Sequence, residues 1–121
     1  MLDEPFGAGS GEHDSTSGNT VAFSRRYPSP DLGTLAVRGE LDISTSASLQ
    51  RELHGLLEAA VQRIEIDLSG VVFMDSSALS ALVGAHERAG KRGQQLALVN
   101  PSPACVKVLG ITGLDQVFDL I

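Results

Sequence analysis

Between residues 63 and 83 the apolar pattern changes period, and that change constrains the fold more than any other feature. Ile64, Ile66 and Leu68 alternate with Arg63, Glu65 and Asp67, the two-residue period of a strand with one buried face. Ser69-Gly70 interrupts, and the run Val71-Val72-Phe73-Met74 reads as the end of a buried strand path. It breaks at Asp75-Ser76-Ser77 and resumes at helical spacing as Leu79, Leu82 and Val83. Asp and Ser accept hydrogen bonds from the free N–H groups of a helix's first turn. The spacing therefore predicts a helix from Ser76 or Ser77 to about residue 89, ended by Gly90 among basic residues. A strand hands over to a helix at two hydroxyls and a carboxylate, where the helix start favours negative charge.

The same alternation of elements extends in both directions. Val21, Phe23 and Tyr27 predict a strand over 20–27, Pro28-Ser29-Pro30 a turn, and Leu35 and Val37 a second, antiparallel strand over 34–39. Leu49, Leu53, Leu56, Leu57, Ala60 and Val61 give a helix to about residue 61, preceded by N-cap candidates at 44–46, with Arg51, Glu52 and Glu58 on its outer face. A strand over 63–69 comes next. Beyond the central helix come a strand over 94–99, a turn at 100–103, a short helix over 104–109 closed by Gly110, and a last strand over 117–121. The class is α/β: a mixed sheet of about five strands, an N-terminal antiparallel hairpin and the rest mostly parallel, with three to four helices. Residues 1–19 are Gly/Ser-rich, hold four acids and no base, and read as a disordered tail; residues 20–121 form one domain.

Right-handed crossovers put the loops at 42–46, 74–77 and 100–103 at one edge of the sheet, each before a helix N-terminus and each carrying hydroxyls. That edge is the expected site. The chemistry open to it is narrow. The sequence has no Gly-rich phosphate loop, no nucleophile elbow around Ser76, and no CxxC or HExxH spacing. His13 lies in the tail, and His54 and His86 lie inside helices, so none is placed to activate Ser76. Glu40 and Asp42 suit turn formation at a strand end. Catalysis, cofactor and metal are all unexpected. The net charge of −6 is concentrated in the tail, and the nearly balanced body offers no footprint for nucleic acid. Arg88, Lys91 and Arg92 complement a helix C-terminus. Cys105 is the single cysteine, no secretory signal is visible and no run is long enough to span a membrane, so the expected address is cytoplasmic. On these grounds alone Asp75-Ser76-Ser77 is a helix cap.

Taken together, Gly39-Glu40-Leu41-Asp42, Ile66-Asp67-Leu68-Ser69-Gly70-Val71 and Phe73-Met74-Asp75-Ser76-Ser77-Ala78-Leu79 resemble the bacterial anti-sigma-factor antagonists of the STAS domain family. The likeness runs over about residues 20–121 and includes Asn100-Pro101-Ser102-Pro103 and Gly110 through Leu114. It implies a STAS-like fold and a binding protein rather than an enzyme. It implies that Ser76, with Ser77 as the alternative, is phosphorylated by a partner that is both anti-sigma factor and serine kinase. The unphosphorylated form binds that partner and releases sigma, and a phosphoserine phosphatase resets it; the alternatives are a phosphate- or nucleotide-binding STAS module and a non-switching STAS scaffold subunit in which Asp75-Ser76-Ser77 is only a cap. The implied docking face comprises Gly39, Glu40, Asp42, Ile43, Ser44, Thr45, Met74, Asp75, Ser76, Ser77 and Leu79. Neither nucleic acid nor membrane is an expected partner. Where the family usually has Gly after the second serine, this chain has Ala78, whose methyl suits the helix but is expected to narrow the close approach of a kinase or of a nucleotide.

Overall fold

The structure, a computed structural model, describes residues 13–17 and 20–121. Its elements run β1 (His13–Ser17), β2 (Val21–Ser29), β3 (Leu32–Leu41), α1 (Ser46–Glu58), β4 (Arg63–Met74), α2 (Ser76–Lys91), β5 (Gln95–Val99), α3 (Pro103–Thr112), a single 3₁₀ turn (Leu114–Gln116) and β6 (Asp119–Leu120). The six strands lie in sequence order. β1, β2 and β3 are antiparallel neighbours, and β3 through β6 are parallel. This is the mixed α/β class expected, with one strand more.

The extra strand is β1, which lies within the segment expected to be disordered; the rest of that segment is outside the described residues. Its sequence, His-Asp-Ser-Thr-Ser, offers no apolar alternation. What holds it is the free edge of β2, which completes a backbone ladder, and a carboxylate on α1. Ser15 Oγ donates to Glu52 Oε2 at 2.9 Å, and His13 Nδ1 and Arg25 Nη1 stand 3.4 and 3.8 Å from Glu52 Oε1. Glu52 was expected on the solvent face of its helix. It is buried instead, because β1 and β2 close over it.

The core is built from one face of the sheet. Phe23, Leu35, Val37, Leu41, Ile64, Ile66, Leu68 and Leu98 meet Leu49, Leu53 and Leu56 of α1 and Ala78, Leu82 and Ala85 of α2. Side chains of this size contribute about 1.5–3 kcal/mol each when fully buried. On β2 and β3 the alternate positions are less covered among the described residues: Arg26, Ala36 and Arg38 are exposed, and Ala22, Ser24 and Thr34 are half-buried.

Several boundaries differ from expectation. α1 stops at Glu58, and Ala60 takes a left-handed conformation (φ 58°) that turns Val61 back into the core. α3 continues through Gly110 to Thr112 and is closed by Gly113 at φ 76°, which suits a residue without Cβ. The last strand is only Asp119–Leu120, because the 3₁₀ turn takes up the residues before it. Arg92 closes α1 as well as following α2, donating to the Leu57 carbonyl at 2.9 Å and to Glu58 Oε2 at 2.6 Å.

The largest difference is β4. It does not end at Ser69 but continues to Met74. Two slips against β3 make this possible: Ala36 pairs Asp67 while Arg38 pairs Gly70, and Gly39 pairs Val71 while Glu40 pairs Phe73. Each gives β4 an extra residue, as in a β-bulge.

Candidate functional site

β3 and β4 end side by side. Leu41 pairs with Met74, both are buried, and Asp75 N–H donates to the Leu41 carbonyl at 3.0 Å. The loops after these strands therefore share one rim. The third loop does not reach it. β5 pairs with β4 only as far as Asp67–Val99, and Ser102 N–H donates to the Leu68 carbonyl. Met74 lies six residues further along β4, about 20 Å at strand rise. The expected meeting of three helix N-termini is thus a meeting of two, because β4 overshoots β5. Ser102 instead caps its own helix, accepting from Cys105 N–H at 3.3 Å.

The β3 loop is braced from within. Asp42 Oδ1 accepts from Ser44 N–H at 2.9 Å and from the Ser44 hydroxyl at 2.6 Å. The Ser44 hydroxyl foremost, with the Ser44 amide and Thr45, holds the Asp42 carboxyl below its ordinary pKa against the opposing effect of desolvation. Thr45 stands at the N-cap of α1 but makes no capping bond. Its hydroxyl accepts from Asp42 N–H at 2.9 Å and donates to the Glu40 carbonyl at 3.0 Å. The approach to this loop is fixed by Gly39, at φ 110°, where a Cβ would collide with the Thr20 carbonyl that accepts from Glu40 N–H.

The β4 loop separates the two serines. Asp75 is the N-cap of α2: its Oδ1 accepts from Ser77 N–H at 2.9 Å, Ala78 N–H at 3.3 Å and the Ser77 hydroxyl at 2.5 Å. Ser77 is half-buried and its hydroxyl is committed. Ser76 is exposed, and its hydroxyl meets no partner among the described residues. Ala78 is fully buried, so its methyl points into the core and not at the rim. His86 lies ten residues along α2 and packs edge-on against Phe118, with ring centroids 5.2 Å apart.

Of the residues expected on the docking face, Glu40, Ile43, Ser44 and Ser76 are exposed, and Gly39, Asp42, Asp75 and Ser77 are partly so. Thr45, Met74 and Leu79 are not at the surface: they are 1%, 3% and 5% exposed and support the rim from beneath. Sequence reasoning missed Val72 and Phe73, which are 69% and 50% exposed. The available signal was the unbroken run of four apolar residues at 71–74, more than one face of a strand can bury.

A sequence profile of the STAS domain matches residues 26–121. The chain belongs to the STAS domain family. Among its relatives, the anti-sigma-B factor antagonist of Bacillus subtilis is 32% identical over 84 residues, covering 69% of this STAS chain and 76% of that protein. The anti-sigma-B factor antagonist of Listeria monocytogenes is 33% identical over 86 residues, 69% of this chain and 74% of that one. The solved anti-sigma factor antagonist from Mycobacterium paratuberculosis superposes with a TM-score of 0.75 at 26% identity, covering 87% of this chain and 89% of that one. No helix among the described residues of this STAS domain is long and apolar enough to cross a membrane.

Proposed function

We propose that this STAS domain is an anti-sigma factor antagonist whose binding is switched off by phosphorylation of Ser76. It is a binding protein and not a catalyst, working in the cytoplasm opposite an anti-sigma factor with serine kinase activity and a phosphoserine phosphatase. The observation that carries the reading is the unequal state of the two serines: Ser76 is exposed with a hydroxyl unbonded among the described residues, whereas Ser77 donates to Asp75. The relatives named as anti-sigma factor antagonists support the same role.

The switch follows from charge. A phosphate adds about −1.5 to −2 units. The α2 N-terminus offers it limited help, because Asp75 already takes the amides of Ser77 and Ala78. The new charge sits next to the Asp75 carboxylate, on a rim shared with Asp42. Covering it with a partner that lacks a basic cradle costs several kcal/mol. A penalty of about 3 kcal/mol lowers affinity by roughly two orders of magnitude.

The test is incubation with the candidate kinase and ATP, followed by peptide mapping. One phosphate on Ser76 is expected, retained in Ser77→Ala and lost in Ser76→Ala, and the phosphorylated protein no longer retains the anti-sigma factor. Equal retention of the two forms would refute the switch and leave a binding module indifferent to phosphate.

A further inference from the structure

The second bulge of β4 places two apolar side chains in water beside this rim. Val71 and Met74 are buried, while Val72, the extra residue of the bulge, and Phe73 are both exposed. Among the described residues no strand lies beyond β4 at this level, because β5 ends opposite Asp67. Phe73 stands across from exposed Glu40, on the face opposite buried Leu41 and Met74. Two residues beyond Leu41 comes Ile43, 80% exposed. Single exposed apolar residues are ordinary. Here three of them come from two strand ends, and a bulge, which sacrifices ladder pairing, is what turns Phe73 outward beside Val72. Glu40, Asp42 and Asp75 border the group with carboxylates.

Resting on the reading of this rim as the docking face, we infer that Val72 and Phe73 are the apolar anchor that holds the anti-sigma factor. The complementary surface is an apolar pocket with Lys or Arg against Glu40, which pairs with Phe73, and no basic residue facing Ser76. The work is then divided between neighbouring elements. Phe73 and Val72 supply affinity, as aromatic residues do at the centre of interfaces. Ser76, three residues further on, makes that affinity conditional.

The anchor is tested by placing the photo-cross-linking residue p-benzoylphenylalanine at position 73, 43 or 91 of the full chain in the source organism, and sequencing the adducts. Lys91, at the far end of α2, is the control. The expected result is the same anti-sigma factor captured from positions 73 and 43 and not from 91. Titration of that purified factor then shows Phe73→Ser binding about 10- to 100-fold more weakly than wild type, with Val72→Ser weaker in the same direction. Phe73 is half in solvent, so both variants retain the wild-type melting temperature to within a few degrees. Capture from position 43 without capture from 73, or Phe73→Ser binding as wild type, overturns the anchor and leaves the docking face standing. Capture from neither position overturns the docking face itself.

Discussion

Replacing Asp75 by alanine removes the side chain that closes the first turn of α2. Three bonds converge on Oδ1, two from backbone amides at 2.9 and 3.3 Å and one from the Ser77 hydroxyl at 2.5 Å. Loss of such a cap costs typically ~1 kcal/mol within a range of about 0.5–2. Loss of a negative charge at a helix N-terminus adds about 0.3–1 kcal/mol. Asp75 is half-buried and Ser77 loses its acceptor as well, so about 2 kcal/mol is expected for Asp75→Ala. For a domain of this size that lowers Tm by roughly 8 °C. Asn keeps an acceptor oxygen at the same place and ranks with Asp as a cap, so Asp75→Asn loses the charge part alone, about 0.5 kcal/mol or roughly 2 °C. The assay is thermal and urea unfolding at pH 7 and low salt, read by circular dichroism, with hydrogen exchange at the amides of Ser77 and Ala78. Those two amides exchange faster in the alanine variant and stay protected in the asparagine variant. If Asp75→Ala melts within 1–2 °C of wild type, the cap does not close the helix and the reasoning fails. If Asp75→Asn is as damaged as Asp75→Ala, charge and not acceptor geometry holds the turn.

Two further predictions concern the clip and the rim. Glu52→Ala strips Ser15 of its acceptor and leaves the largely buried Arg25 guanidinium without its carboxylate; about 2–3 kcal/mol of stability is lost, and the amides of β1 exchange at solvent rates, whereas Glu52→Gln keeps an acceptor for Ser15 and most of the protection. Unchanged β1 protection in Glu52→Ala would mean the ladder alone holds the strand. Asp42 has a folded pKa depressed below 3.8, chiefly by the Ser44 hydroxyl, so its contribution to stability is present above the unfolded value and fades as pH falls through the lower folded one. Ser44→Ala moves the Asp42 titration, followed by carboxyl NMR, up toward 3.8; a titration that stays put contradicts the bracing role of Ser44.

Much of the site was legible because its parts are local. Asp75 caps α2 within three residues, and an acid followed by two hydroxyls before an apolar helix is a pattern that one turn of backbone explains. The Gly39–Asp42 turn reads equally well, since a tight approach and a short acceptor are properties of single residues. What the local residue pattern could not rank was Ser76 against Ser77; only the family resemblance put Ser76 first. The distinction is which hydroxyl Asp75 takes, and that is a matter of where each side chain points once the helix exists.

The period of the apolar residues and the Asp75 cap of α2 were determined by the sequence alone, because each is a requirement that a segment satisfies within itself. Tertiary structure decided the rest. A polar pentapeptide became β1 because β2 had a free edge and Glu52, 37 residues from Ser15, needed hydrogen-bond donors. Met74 went under the rim, and Val72 and Phe73 came out onto it, because bulges in β4 reset which side chains face the core; Thr45 went under it by bonding inward to the Glu40 carbonyl, and Leu79 by lying on the core side of α2. α3 starts well short of the rim because β4 outruns β5. A one-dimensional pattern reports which side of an element is apolar; only the packing of distant elements decides what, if anything, covers it.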